Sequence, residues 1–259
     1  MKKTRKQQEP SVLWTPRFLG AVYTVITISL IFYGYRWAEY RGYLNVASIV
    51  VSGARLLNDD VYIAYVADLD SLKMTELPIT EISENISRHP FVKATRVSRA
   101  FPGKVAIEIQ ERSPLAWLNQ KTDFYIDEEG IILPSVPAVQ ALVLPILSNF
   151  NPARELYPVG EQTLSQPVLI ATRVLAWLLK QYPTLYDRVS EIRLNPSDDY
   201  EIILTDYPTR IVLGQDQMLR KLAILQYFET KITGKRKLTD YTYIDLRYQN
   251  QVIAKERRR

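Results

Sequence analysis

HPFVKATRVSRAFPGKVAIEIQERSPLAWL, residues 89–118, predicts two β-strands joined by a tight turn. From Lys104 to Gln110 apolar and polar residues alternate, and this period of two is typical of a strand with one buried face. The preceding segment, Val92–Arg99, is the other predicted strand. Between them, Pro102 and Gly103 suit the central positions of a type II turn, because proline fixes φ and glycine tolerates a positive φ.

The residues before this stretch predict one further strand and two helices. Val46–Gly53 is rich in β-branched residues and ends at glycine, which indicates a strand and a turn. Asn58 precedes two acidic residues, a pattern typical of a helix start. Isoleucines spaced three and four apart between Ile79 and Ile86 predict a second helix, which must end near Pro90. The predicted order is therefore β-α-α-β-β.

Phe18–Tyr35 carries no charged residue over 18 positions and would span about 27 Å as a helix, close to the thickness of a bilayer core. Aromatic residues flank it at both ends, as is usual at membrane interfaces. A buried helix of a soluble protein and a cleaved signal peptide are the alternatives. The long basic stretch before the segment and the lack of a small-x-small cleavage site after it favour an uncleaved anchor over residues 18–37.

The charge distribution predicts the orientation of this anchor. Five Lys or Arg residues precede it, against Arg36 and Arg41 just after it, so the positive-inside rule keeps tail 1–17 in the cytoplasm. The total charge is +5, of which residues 1–17 hold +4 and residues 255–259 hold +3, which leaves −2 for the remainder. The body of the protein is therefore not basic, which argues against a nucleic-acid partner.

The second half predicts a mixed β unit. Residues 124–133 are typical of a hairpin, residues 134–160 hold five prolines and suggest a surface loop, and helices are expected near Leu169–Gln181 and Asp216–Lys231. Predicted strands are Glu191–Leu194, Tyr200–Thr205, Arg210–Leu213 and Tyr241–Tyr248.

The residue content argues against catalysis. The chain has no cysteine, His89 is its single histidine, and no glycine-rich phosphate loop is present. Three pairs of adjacent acidic residues fall at turns or helix starts, where solvation explains them. We therefore expect no catalytic residue, no metal site and no cofactor, and we predict that the protein is not an enzyme.

Several motifs resemble those of one family. His89–Leu118 resembles the end of the POTRA domain in the FtsQ/DivIB cell-division family, where a run P-W/F-V…V-x-R-x-x-P…L-x-I-x-V-x-E-R-x-P-x-A recurs. Matching positions are Pro90, Phe91, Val92, Val97, Arg99, Pro102, Val105, Ile107, Ile109, Glu111, Arg112, Pro114 and Ala116. Residues 124–133, IVLGQDQMLRKLAIL at 211–225 and YIDLRY at 243–248 resemble later family motifs in the same order.

The resemblance implies an α+β fold with a single N-terminal transmembrane helix. A POTRA domain (46–116, β-α-α-β-β), a C-terminal mixed β domain with flanking helices (117–254) and a basic tail (255–259) would follow. It implies a non-enzymatic divisome scaffold of the inner membrane, single-pass type II, with its bulk in the periplasm and at mid-cell during division. Such a scaffold holds FtsB and FtsL and links early to late division proteins to control septal wall synthesis. Its POTRA and membrane segments would contact other division proteins and the bilayer.

The resemblance also implies a partner-binding surface. If strand Tyr241–Tyr248 lies at a sheet edge, its unpaired backbone groups are a template for an added strand of FtsB. The residues carried over are Arg247, Tyr248, Gln249, Asn250 and Val252 near this strand, and Lys221, Leu225 and Phe228 on the preceding helix.

One feature departs from the family pattern. Some members keep a tryptophan and a polar tail beyond this strand, whereas here Val252–Ala254 runs into the basic segment Lys255–Arg259. We expect acidic residues on the partner opposite these arginines. Two rival functions stay open from the sequence: an anchored peptidoglycan hydrolase, and a transport or assembly factor that uses a POTRA module.

Overall fold

The computed structural model describes residues 15–43, 45–66, 73–100, 102–119, 123–249 and 251–258. It begins with a long helix, α1 (Thr15–Tyr40), of which Phe18–Tyr40 is long and apolar enough to cross a membrane. None of that span is buried against the rest of the protein, which fits a membrane anchor. Most of the predicted cytoplasmic tail, residues 1–14, lies outside the described residues.

The first folded unit has the predicted order β-α-α-β-β. Its elements are β1 (Ser48–Ser52), α2 (Asp59–Ile63), α3 (Ile79–Ser87), β2 (Val92–Ala100) and β3 (Lys104–Glu111). The strands form a sheet of order β1-β3-β2, in which β3 pairs parallel with β1 and antiparallel with β2. Gly103 in the turn has φ +62, and a Cβ there would lie 2.8 Å from the carbonyl oxygen of Asn45. Glycine is therefore required at this turn, whose Phe101 lies outside the described residues.

The carboxylate of Glu111 closes the loop that follows β1. It accepts hydrogen bonds from the backbone N–H groups of Arg55 and Leu56, each at 2.6 Å, and of Leu57 at 3.2 Å. The hydroxyl of Tyr62 donates a further bond at 2.8 Å. One side chain from β3 thus holds both the loop and helix α2 in place over the buried core of this unit.

The second unit is a nine-stranded mixed sheet with helices packed against it. Its elements are β4 (Pro114–Leu118), β5 (Phe124–Asp127), β6 (Ile132–Pro134), α4 (Pro137–Gln140), β7 (Ile146–Ser148), α5 (Gln166–Gln181), α6 (Pro183–Tyr186), β8 (Val189–Leu194), β9 (Tyr200–Leu204), β10 (Arg210–Gly214), α7 (Met218–Ile232), β11 (Tyr241–Asp245) and β12 (Ile253–Glu256). The strand order is β12-β11-β10-β9-β8-β7-β4-β5-β6. The sheet begins at Pro114, slightly before the boundary expected from the sequence.

The prediction that residues 134–160 form a surface loop was wrong where the segment forms the short helix α4 and strand β7. Strand β7 pairs parallel with both β4 and β8 inside the sheet. A strand of three residues is too short to show a period of two, and the prolines around it hide it. Long-range pairing therefore decides its structure, whereas local pattern does not.

The two faces of the large sheet differ. Helices α5 and α7 bury one face, where Leu175, Leu178 and Leu222 are fully inaccessible to solvent. The opposite face is polar over β10 and β11, where the guanidinium of Arg210 lies 5.0 Å from the ring centroid of Tyr243. Over β5 and β6 the same face carries the buried Tyr125 and Leu133, which pack with Val139 of α4. The polar part of this face can stay in water without a second covering layer.

Candidate partner-binding edge

Strand β11 lies inside the sheet. It pairs parallel with β10, with Ile244 opposite Ile211, and antiparallel with β12, with Ile244 opposite Ala254. The prediction that Tyr241–Tyr248 forms the edge was therefore wrong, and the strand itself ends at Asp245. The cause is a chain reversal after β11, which returns Ile253–Glu256 to the sheet as β12, including Lys255 and Glu256 of the expected basic tail.

Strand β12, and not β11, forms this edge of the nine-stranded sheet. The backbone N–H of Arg257 donates to the Asp240 carbonyl at 2.8 Å, and the Lys255 carbonyl accepts from the hydroxyl of Thr242 at 3.2 Å. Because backbone groups alternate sides along an antiparallel strand, those of Ala254 and Glu256 point away from β11. The open edge thus offers backbone donors and acceptors at these two residues.

The side chains of β12 divide between the two sheet faces. Ala254 packs partly buried against the core, together with Val252 just before the strand. Ile253, by contrast, is 46% exposed on the polar face. An added strand would therefore extend the core on one side and meet an exposed isoleucine on the other.

The loop between β11 and β12 is held by the guanidinium group of Arg247. Its Nη2 lies 2.8 Å from the carboxylate of Asp245 and its Nη1 lies 3.1 Å from that of Asp199. The backbone N–H of Arg247 donates to Asp245 as well, at 2.9 Å. The Asp245 side chain is nearly inaccessible, so these bonds compensate for its burial.

The same contacts shift the pKa of both partners. Burial alone would raise the pKa of Asp245, but the hydrogen bonds from Arg247 and Tyr243 outweigh it and hold this pKa below its ordinary value. The hydrogen bond to Asp245 in turn raises the pKa of Arg247. Both groups are therefore charged at neutral pH, and their ion pair holds the loop after β11 in one conformation.

The absence of a side chain at Gly214 leaves room for two cationic side chains. It has φ +78, and a Cβ at this position would lie 3.1 Å from Cγ of Arg247 and 3.3 Å from Nζ of Lys221. The Lys221 ammonium donates to the carbonyl of Leu213 at 2.7 Å. The Leu213 carbonyl and the space beside Gly214 therefore hold both cationic side chains near the start of α7.

These cations line a cleft between α7 and the loop after β11. Its walls are formed by Asp216, Gln217, Arg220, Lys221, Ile224, Arg247, Tyr248 and Gln249. Tyr248 is 53% exposed at the rim. Tyr248 and Gln249 of the cleft precede β12 in the chain by only a few residues. Within the described ranges, no cluster of three or more His, Asp or Glu side chains is arranged to hold a metal ion.

Two family models cover this chain. A model for the POTRA domain, FtsQ-type, matches residues 44–112, and a model described as FtsQ/DivIB, C-terminal related, matches residues 113–255. The chain belongs to the FtsQ/DivIB family. The surface between α7 and β12 therefore lies in the C-terminal domain of a cell division protein of the FtsQ type.

Relatives in this family span nearly the whole chain. The cell division protein FtsQ of Syntrophotalea carbinolica is 24% identical over 98% of this chain and 90% of its own length. That of Chloroflexus aggregans is 28% identical over 93% of this chain and 87% of its own length. The match to the cell division protein DivIB of Solibacillus silvestris is shorter, with 25% identity over 62% of this chain and 52% of its own length. The family suggested by the sequence motifs is thus confirmed.

Of the eight residues carried over from FtsQ proteins, four lie together at the cleft: Lys221, Arg247, Tyr248 and Gln249. Leu225 is fully buried in the core, so the prediction that it contacts a partner directly was wrong. Phe228 and Val252 pack partly buried against the same core, and Asn250 lies outside the described residues.

The sequence reasoning missed β12. Its signal was the short apolar run Val252–Ala254 directly after a polar turn, which is compatible with a strand. The sequence predicts a basic tail from Lys255 onward, so a strand that continues into Lys255 and Glu256 was not predicted.

Proposed function

We propose that this protein is a non-catalytic scaffold of the division apparatus that holds FtsB, paired with FtsL, along the open edge of β12. The observation that supports this most directly is the set of backbone groups of Ala254 and Glu256, which face away from β11. A partner strand would satisfy these groups and gain ladder hydrogen bonds, as in other complexes formed by strand addition.

The cleft beside α7 would supply the side-chain part of the interface. Tyr248 presents a large, half-exposed ring, and Arg247 is already fixed by two carboxylates. Aromatic and arginine side chains held in one conformation are the residue types that dominate binding energies, because little entropy is lost when they bind. Ile224 and Lys221 extend this surface along the helix.

The remaining parts of the chain suggest its place in the cell. Helix α1 would anchor the protein in the inner membrane as a single-pass type II protein, with residues 1–17 in the cytoplasm and both folded domains in the periplasm. The POTRA domain and the membrane helix would contact other division proteins. Located at mid-cell, such a scaffold would connect early with late division proteins and influence septal wall synthesis.

A proline at the edge tests the strand addition. Ala254→Pro removes one outward backbone N–H and places a ring in the path of an added strand, whereas proline is tolerated on an open edge. We expect the full chain with this substitution to bind the FtsB ectodomain of the same bacterium at least about tenfold more weakly, the equivalent of one lost hydrogen bond or more.

Ala254→Ser is the matched control, because it keeps the N–H and is similar in size. It should bind FtsB as the wild type does, and circular dichroism should show that both variants keep the native fold. Unchanged capture of FtsB by folded Ala254→Pro protein would overturn the proposed function.

A further inference from the structure

A group of cations lies at the far end of β12. We call it the basic corner and define it as Lys235, Arg236, Arg257 and Arg258. Helix α7 ends next to Gly234, whose φ of +89 turns the chain back towards the sheet. As a result Nη1 of Arg236 lies 2.5 Å from the Glu256 carboxylate of β12.

Arg257 is held rigidly at this corner. Its backbone N–H bonds to Asp240, its Nε lies 3.4 Å from the Thr239 carbonyl, and its guanidinium is 5.4 Å from the ring centroid of Tyr207. The planar group is therefore oriented before any partner arrives, which lowers the entropy cost of using it.

The corner carries more positive than negative charge. Its carboxylates are Glu256, paired with Arg236, and Asp240, which accepts a bond from the backbone of Lys237 at 2.8 Å. Lys235 and Arg258 are exposed, and among the described side chains no carboxylate lies within ion-pair distance of either. Two cations thus stand uncompensated next to a strand with an open edge, where a partner's carboxylates would be attracted.

We propose that the basic corner receives acidic side chains of the segment that adds to β12. This inference rests on the proposed function and specifies the chemistry of the partner. The outward backbone groups of Glu256 place the end of an added strand beside Lys235 and Arg258. One or more Asp or Glu side chains at that end would neutralise the corner and accelerate association.

Charge neutralisation at the exposed cations tests this inference without touching the fixed Arg257. The full chain carrying Lys235→Gln and Arg258→Gln, in nanodiscs of zwitterionic lipid, is compared with wild type for binding to the FtsB ectodomain. We expect an association rate constant about tenfold lower at about 50 mM salt, with the difference vanishing near 500 mM, because salt screens exposed charges.

Arg154→Gln with Arg173→Gln is the matched control, since it removes two exposed cations from other elements of the same domain. It should change the rate constant less than about twofold. An FtsB segment with its Asp and Glu replaced by Asn and Gln should bind the wild type and the corner variant equally.

The outcomes separate the two proposals. If Ala254→Pro weakens binding at every salt concentration while the corner variant binds as wild type at low salt, strand addition stands and the acidic partner segment is refuted. An effect of the corner variant seen only in nanodiscs of anionic lipid would also refute it, and would assign the corner to the membrane. If wild type does not bind FtsB, both proposals fall.

Discussion

Nη1 of Arg112, just after the last POTRA strand, lies 2.7 Å from the carboxylate of Asp127 at the end of β5 in the C-terminal domain. Only 3% of the Asp127 side chain is exposed. Beside this ion pair, the fully buried ring of Phe91 packs in one apolar cluster with Tyr125 and Leu133. The two domains are therefore joined by a largely desolvated contact.

Removing Arg112 should weaken this junction. Arg112→Met leaves the buried carboxylate of Asp127 without its cation, which we expect to cost about 3 kcal/mol in the free energy of unfolding. The measurement is urea denaturation of the full chain in detergent, followed by circular dichroism.

Lys93→Met is the control for the junction. Lys93 pairs with Glu129 at 2.9 Å on the same surface, but both side chains are partly exposed. Its loss should cost less than about 1 kcal/mol, because water solvates exposed ions well. Equal losses for the two variants would show that burial of Asp127 does not matter.

The Arg247–Asp245 contact should make stability depend on pH. The folded protein holds the pKa of Asp245 below its ordinary value of about 3.9, so the contact stabilises the fold above that value. This stabilisation is lost as the pH falls through the lower, folded-state pKa. The difference in unfolding free energy between wild type and Arg247→Gln should therefore be largest at neutral pH and shrink below about pH 4.

Urea midpoints at pH 7, 5, 4 and 3 check this dependence. Lys221→Gln serves as the control, because the Lys221 ammonium donates to a carbonyl and not to a carboxylate. Its difference from wild type should stay constant over this range. A constant difference for Arg247→Gln as well would contradict the assignment.

Substitutions at Leu225 and Tyr248 should affect two different properties, the first the stability of the fold and the second the binding of FtsB. Leu225→Ala removes a fully buried side chain and should cost about 2–5 kcal/mol in unfolding free energy. Tyr248→Ala truncates a half-exposed ring, so we expect a change within about 0.5 kcal/mol together with weaker capture of FtsB. Thermal unfolding and pull-down of the FtsB ectodomain measure the two effects, and normal capture by Tyr248→Ala would remove the cleft from the interface.

The spacing of apolar residues was sufficient to predict the helices and strands that are long enough to show at least one full period of that spacing. The long apolar helix α1, the order β-α-α-β-β and helices α5 and α7 followed from apolar spacing and from the turn at Pro102–Gly103. The cleft was predictable in part, because Lys221, Arg247 and Tyr248 belong to motifs that resemble the family and Gln249 follows the last of them directly.

Three features required the folded chain. β7 has three residues and β12 has four, so neither shows a readable period. The buried side of α7 depends on how the helix packs on the sheet, and this placed Leu225 inside.

The amino-acid sequence by itself thus determined the family, the apolar N-terminal helix and most of the longer elements of both domains. These elements depend on interactions between residues close in the chain. Only the tertiary structure decided which strand lies at the open edge. Strand neighbours are chosen by pairing between distant segments, and here the return of Ile253–Glu256 covers β11 and moves the unpaired backbone to β12.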